Sequence, residues 1–569
     1  MTRKIDHRRL GRLRQGQGEI ANHIIDEFAA GRLSRRDFIR RASVVGISVP
    51  LVGSILEACS SSSSTSTSSA ASSSASGSAT GAPGAVIKAG ITTPAAAINP
   101  VLVADQGTLD MLAQTGEYLV LSDQTLTLKP VLATSWSANS TADVWTFKIR
   151  QGVKFHNGAP LTADDVVYSF KLYTGPGSSA LSAFGGVVKP SGVTKVDDYT
   201  VAFNLEAPNG NFPYLVSSDN YNTIIIPNNY NPASWQSSFI GTGPFVKSSY
   251  TPKVGAAFTR NESYWGPKAL PSQTEFTFYD TQPPSILALT GGTIDVLGQF
   301  SVTGGEALLS GGYNVIKLKS SGHRELSMRN DQAPFTDPRV RQAIALTLNR
   351  PEIVTALFKG LADIGNDSPF APVFPSTNTS VPQRVQNISQ AKSLLAAAGH
   401  SSGFTTQLVT ENVQEIPDFA QIVVESAAAI GVKINLKVES QSLYEGNYTF
   451  GKSDWLDATM SMVDYGHRGV PNVFLGAPLQ TYNATTGTGT WNAAHFSNSQ
   501  YDSLVTKYIA APDLSSQRTI AGQIQTLLLN ETPIIYAYFY DYLTATATNV
   551  TGVYPTAIGH LFLYNAAMS

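Results

Sequence analysis

The chain is predicted to fold as a mixed α/β protein, with α+β elements, of at least two lobes. Three observations carry this. The first half is rich in short alternating segments, Val144-Trp145-Thr146-Phe147-Lys148-Ile149 and Thr200-Val201-Ala202-Phe203-Asn204-Leu205, which have the period of half-buried strands. The second half carries a helix, Gln421 to Ile430, that passes through Gly431 into the strand Val432-Lys433-Ile434-Asn435-Leu436-Lys437-Val438. Finally, the roughly 485 residues that follow a low-complexity stretch near the N-terminus exceed what a single core holds.

The first eighty residues read as an export address, an anchor and a tether. Ser34-Arg35-Arg36-Asp37-Phe38-Ile39-Arg40 has the form of a twin-arginine export motif, with Arg35 and Arg36 as its signal pair. Ala42 to Leu56 follows without a charge, long enough for a signal-peptide core and too short to span a bilayer. Leu56-Glu57-Ala58-Cys59 then sets the single cysteine of the chain where a bacterial lipoprotein signal is cut and acylated, although Glu57 is unusual there. From Ser60 to Ala82 every residue is Ser, Thr, Ala or Gly, a composition that cannot bury a core. The expectation is a signal peptide over 1–58 and, over 59–85, an acylated Cys59 with a flexible tether of about 25–30 Å mean reach. The protein is thus expected to be exported and lipid-anchored on the outer face of the cytoplasmic membrane.

Helices of the body have legible ends. Thr162-Ala163-Asp164-Asp165 is a capping box in its Asp form, with Val166, Val167 and Phe170 behind it. Asp337-Pro338 is an N-cap followed by proline at the first helical position, and Val340, Ile344 and Leu348 continue at helical spacing. Asn349 opens the next helix and Gly360 closes it; Ser389 to Ala398 is a helix ended by Gly399. Asn157-Gly158 has hairpin-turn chemistry, which makes His156 structural.

Composition narrows the partners. Without residues 1–58 the chain keeps 28 basic against 35 acidic residues, about −7, which argues against nucleic acid. Only 14% of residues are charged, and with Cys59 used by the anchor no disulfide is possible. The eight histidines never take metal-ligand spacing, no Gly-x-Ser-x-Gly or His-Glu-x-x-His motif occurs, and no cofactor is expected. Gly241-Thr242-Gly243-Pro244 is read as a backbone turn, because no Gly-Lys-Ser/Thr follows to make a phosphate loop.

A series of motifs then resembles a known family. Leu132-Ala133-Thr134-Ser135-Trp136, Gly152-Val153-Lys154-Phe155-His156-Asn157-Gly158, Gly241-Thr242-Gly243-Pro244-Phe245 and Arg260-Asn261-Glu262-Ser263-Tyr264-Trp265 occur in order, followed by Asp337-Pro338-Arg339-Val340-Arg341 and Phe496-Ser497-Asn498-Ser499. Together they resemble the extracellular solute-binding proteins of family 5, the dipeptide-, oligopeptide- and nickel-binding lipoproteins of ABC importers. The resemblance implies a bilobed clamp of the periplasmic-binding-protein type II with an extra domain and a hinge between lobes. Domain I would comprise 86–120, 238–318 and 540–569, domain II 121–237 and domain III 319–539. It also implies a non-enzymatic monomer that delivers a peptide or other small solute to permease subunits.

Peptide-binding members hold the ligand's ammonium with a carboxylate, because a cation desolvated in a closing cleft needs a counter-charge. The matching stretch is Ser461-Met462-Val463-Asp464-Tyr465-Gly466, and Asp464, with Tyr465, is the leading candidate for that anchor. Ala458 and Ser461 stand where oligopeptide binders have an arginine and a tryptophan, and His467-Arg468-Gly469-Val470-Pro471 replaces an acidic-proline turn. Arg468 either pairs with Asp464 or meets a ligand carboxylate. His467, Trp455, Trp491 and His495 complete the set of candidate cleft residues, the aromatics suiting a peptide side chain or a sugar ring equally. An oligosaccharide or a chelated metal remains an alternative cargo, and a secreted hydrolase the competing class.

Overall fold

The computed structural model describes residues 84–569 apart from 104, 229 and 485–487, so Arg35, Arg36 and Cys59 lie outside the described residues. No helix among these residues is long and apolar enough to cross a membrane.

Three sheets organise the described chain. A seven-stranded mixed sheet has the order Asn314–Leu318, Tyr542–Thr546, Val296–Leu297, Val86–Thr92, Gln273–Tyr279, Gly255–Arg260, Phe245–Thr251. A four-stranded antiparallel sheet gathers Ala133–Ala138, Val144–Ile149, Thr200–Asn204 and Val193–Asp197 beside it. These two make the first lobe. The second is built on a six-stranded sheet, in the order Ala362–Ile364, Ile534–Tyr540, His323–Met328, Met460–Tyr465, Thr405–Glu411, Lys433–Glu439. Its parallel pair Thr405–Glu411 and Lys433–Glu439 is joined by the helix Ile416–Ala428, as a parallel connection requires. Each sheet buries its own apolar cluster, around Phe258 and Ile87, around Phe147 and Phe203, and around Leu326 and Val423.

Local signals account for most of these elements. The capping box at Thr162 is formed, with Asp165 Oδ2 accepting from Thr162 N at 2.8 Å, while Asp164 pairs with Lys195. Asp337 and Asn349 cap their helices, and Gly399 ends Ile388–Ala397 at φ +85°. The helix expected from Gln421 begins five residues sooner, at Ile416, because Pro417 supplies a first turn without any side-chain cap. Gly241 and Gly243 are glycines for close approach. A Cβ on either would come within 2.8 Å of the Thr115 backbone, and neither has a positive φ. His156 is structural as expected, its ring bridging Gly241 N and Gly243 O.

The scaffold motifs converge on one buried acid. Glu117 accepts from Thr242 Oγ1 (2.7 Å), Tyr264 Oη (2.6 Å) and Trp265 Nε1 (2.8 Å), with Arg150 stacked on the Trp265 ring at 4.5 Å. Burial pushes its carboxyl up to about 7 against the pull of those donors. The resemblance at Gly241–Pro244 and Tyr264–Trp265 is therefore a packing network of the first lobe.

The lobes are joined by two neighbouring crossings. Asn314–Leu318 pairs antiparallel with Tyr542–Thr546 in one sheet, and their continuations His323–Met328 and Ile534–Tyr540 pair antiparallel in the other. The crossings are thus residues 319–322 and Asp541. They are tied together by Ser320 Oγ donating to Tyr540 O (2.6 Å), Tyr540 N to Gly322 O (2.9 Å), and Lys319 pairing with Asp541 and Asp363. Two adjacent strands crossing side by side form a hinge, since few backbone angles change when the lobes move. The lobes also touch directly, Asn211 bonding Asn472 (3.1 Å) and Gln517 (2.9 Å), and Gly210 N bonding Ile509 O (3.0 Å).

Candidate functional site

The strand Met460–Tyr465 runs up the middle of the second lobe's sheet and ends at the hinge, which places the loop after it against the other lobe. Asp464 lies opposite Arg324 in the register of its neighbour strand. Arg324 is buried and reaches three acceptors, Asp464, Glu415 (2.9 Å) and Gln414 Oε1 (2.9 Å), while the Tyr540 ring covers its guanidinium at 4.5 Å. Burial would lower its pKa, but the charges of Asp464 and Glu415 outweigh that and raise it. Tyr540 Oη also donates to Asp464 Oδ1 (3.1 Å). Of the two alternatives for Arg468, the pair with Asp464 does not form: Arg324, from the adjacent strand, occupies that acid.

The following loop is fastened to the hinge. His467 is buried, and its Nδ1 accepts from Ser321 N at 2.9 Å, which fixes the proton of the ring on the other nitrogen. Burial and the Arg468 charge push its pKa down to about 3, so the ring is neutral at physiological pH. Ser321 Oγ donates to Arg468 O and accepts from Arg468 N, both at 2.9 Å. Any movement of residues 319–322 therefore carries the loop with it.

An interlobe cavity of about 220 Å³ opens beside this loop. The second lobe lines it with Arg468, Gly469, Val473 and Trp491, and the first with Asp219, Tyr214 and other residues near them. Of the sequence candidates, Arg468 and Trp491 reach this cavity. Tyr465 and Trp455 stand behind Trp491 as a packed aromatic group, with ring centroids 6.2–6.3 Å apart, and Tyr465 also stacks on His323. Trp455 is only 5% exposed. His495 sits elsewhere, in a pocket with Phe450 and Tyr482, where its Nδ1 faces Asp331 at 3.2 Å. The seven candidates therefore do not converge on one surface.

Sequence reasoning missed Asp219, Tyr214 and Arg324. The loop Ser217-Ser218-Asp219-Asn220 has ordinary turn composition, and the place of Asp219 depends on a distant segment, Gly469, packing over it. Arg324 belongs to His323–Met328, where it shares a face with Leu326 and Met328 and all six residues are buried, so its charge is met only by acids that other segments bring to it.

Among the described residues no group of three or more His, Cys, Asp or Glu is arranged to hold a metal ion. A profile of the bacterial extracellular solute-binding proteins, family 5 (middle region), matches residues 127–471. The chain is 26% identical over 443 residues to heme-binding protein A of Haemophilus influenzae, covering 72% of this chain and 78% of that protein. It is 24% identical over 476 residues to the dipeptide-binding protein DppE of Bacillus subtilis, covering 76% and 83%. Its fold is similar to the solved structure of HbpA2 from Haemophilus parasuis at a TM-score of 0.74 and 22% identity, covering 85% of this chain and all of that one.

Proposed function

The chain belongs to the bacterial extracellular solute-binding proteins of family 5, and from that premise we propose that it captures short peptides between its lobes for an ABC importer. Proteins of this family are exported transport receptors rather than enzymes. The observation that carries the peptide reading is the interlobe cavity beside the hinge, lined by the Trp491 indole and by the Arg468 guanidinium, the latter on a loop that moves with the hinge. A ligand touching both walls favours the closed arrangement, and that preference is the signal a permease reads. At about 220 Å³ the cavity is smaller than the roughly 300–1,000 Å³ of drug-sized sites, which suits a dipeptide.

Arg468 and Trp491 contact the solute in this reading. Tyr465 and Trp455 support Trp491 from behind, and His467 holds the loop on the hinge. Asp464 already carries Arg324 and Tyr540, which supports a positioning role for it. The division into domain I (86–120, 238–318, 540–569), domain II (121–237) and domain III (319–539) belongs to the same proposal, as do a monomeric receptor and an anchor at Cys59. A Cys59→Ala chain that remained in the membrane fraction after export would remove the anchor from the account.

A second reading, a planar metal chelate such as haem, is favoured by the likeness to heme-binding protein A. Thermal melting of the full-length protein against a dipeptide pool and against haem separates the two. A ligand at 100 times its dissociation constant adds about 2.7 kcal/mol. Stabilisation by dipeptides is the expected result, and stabilisation by haem alone would replace the peptide reading.

A further inference from the structure

Asp219 has no partner for its charge. It follows the short helix Phe212–Leu215 on the first-lobe wall of the cavity. Its Oδ2 is buried without a hydrogen bond and rests on Gly469 of the other lobe, where a Cβ would lie 1.9 Å away. Among the described residues no lysine or arginine pairs with it. Burial pushes its carboxyl up to about 7, the nearby Asp123 adding to the rise and the Ser122 hydroxyl opposing it. Arg468 on the facing wall has the complementary shortage. It is half-buried, its Nη1 donates to His467 O at 2.8 Å, and no carboxylate pairs with it among the described residues. An acid and a base thus line one small cavity from opposite lobes without forming an ion pair.

We propose that Asp219 and Arg468 form a split seat for a zwitterion, Asp219 receiving the solute's ammonium from the first lobe and Arg468 its carboxylate from the second. This rests on the reading of the chain as a peptide receptor and departs from the expectation that Asp464 holds the ammonium. A desolvated carboxylate is costly until a cation reaches it, so the ammonium gains in the cavity what Asp219 lost on burial. The split also makes recognition a closure device. A solute with one charge satisfies one lobe, whereas a solute with both gains most when the walls are together. Trp491, on the second-lobe wall with Arg468, accepts an apolar or aromatic side chain on its face.

The test uses the full-length protein and calorimetric titration with a pool of Ala-Xaa dipeptides, then with one member that binds and with its N-acetylated form. Asp219→Asn is expected to weaken the free dipeptide about 30-fold or more while leaving the already weaker N-acetyl form unchanged. Asp464→Asn is expected to weaken both forms by the same factor, as a positioning residue would. An Asp219→Asn protein that binds the free dipeptide as the wild type does, or that loses both forms equally, overturns the seat and leaves the receptor reading intact. A wild type that binds no dipeptide of the pool overturns the peptide reading and the seat with it. Melting of Asp219→Asn without ligand at pH 8, expected at or above the wild-type temperature, shows that lost binding is not lost folding.

Discussion

Gly469→Ala inserts one methyl group at the contact between lobes. Its Cβ would sit 1.9 Å from Asp219 Oδ2, 2.3 Å from Cγ and 2.9 Å from Cβ, where side-chain Cβ atoms essentially never come within 3.0 Å of another heavy atom. Oδ2 must therefore retreat by more than 1 Å. Rotating Asp219 clears its carboxylate but leaves its Cβ just inside that limit, so part of the relief comes from the lobes moving apart. Overpacking of this kind costs about 1–3 kcal/mol, which corresponds to about a 5- to 150-fold shift away from the closed arrangement. Small-angle scattering of the ligand-free and dipeptide-bound protein reads the closure, and calorimetry reads the affinity. The expected result is an expanded ligand-free molecule and weaker dipeptide binding by a similar factor. Asp219→Ala in the same chain removes the clashing atoms and should restore ligand-free compactness, a coupling that a double-mutant cycle isolates. A Gly469→Ala protein whose scattering and affinity both stay within twofold of the wild type would refute the claim that these lobes close through this contact.

Three further outcomes follow from the buried charges. Asp219 has its folded pKa raised to about 7, so the folded state holds its proton longer and stability falls as pH rises from about 4 to 7. Asp219→Asn should match the wild type in thermal melting at pH 4 and exceed it by up to about 4 kcal/mol at pH 8; equal stability at both would deny that the carboxylate is desolvated. His467 has its folded pKa lowered to about 3, so stability is lost as pH falls from about 6.5 towards 3, by up to about 1.4 kcal/mol per unit. His467→Gln keeps an acceptor for Ser321 N and should flatten that acid slope in urea titrations, and an unchanged slope would rule the residue out as its source. Arg324→Met leaves Glu415 and Asp464 without their cation and should cost about 3–5 kcal/mol at pH 7.5. A loss under 1 kcal/mol in denaturant unfolding would show that the cluster is not held by that charge.

Local chemistry made much of the fold legible. Thr162–Asp165, Asp337–Pro338 and Asn349 each satisfy orphan backbone donors within their own first turn, so their helices can be placed from a few neighbouring residues. Val144–Ile149 alternates because its two faces meet different surroundings. Ile416 shows the limit: that helix starts on proline and packing, without a capping side chain. The site divides along the same line. Arg468 stands in a loop that the resemblance to family 5 marks, Trp491 in a later loop of the same lobe, and both reach the interlobe cavity. Asp464 is marked in the same way, but its neighbour across the sheet is a buried arginine that strand register alone brings there. Asp219 acquires its character only when Gly469 covers it, a contact that no pattern within either segment announces.

The central claim is that a solute bound between the lobes draws them together about the crossings at residues 319–322 and Asp541. Small-angle scattering of the full-length protein, titrated with a dipeptide it binds, tests this most directly. The account predicts a radius of gyration that falls as the dipeptide saturates the wild type and stays constant when Arg468→Gln removes one wall of the seat. Saturable dipeptide binding with no change in scattering, or dipeptide that is hydrolysed during the titration, would contradict it.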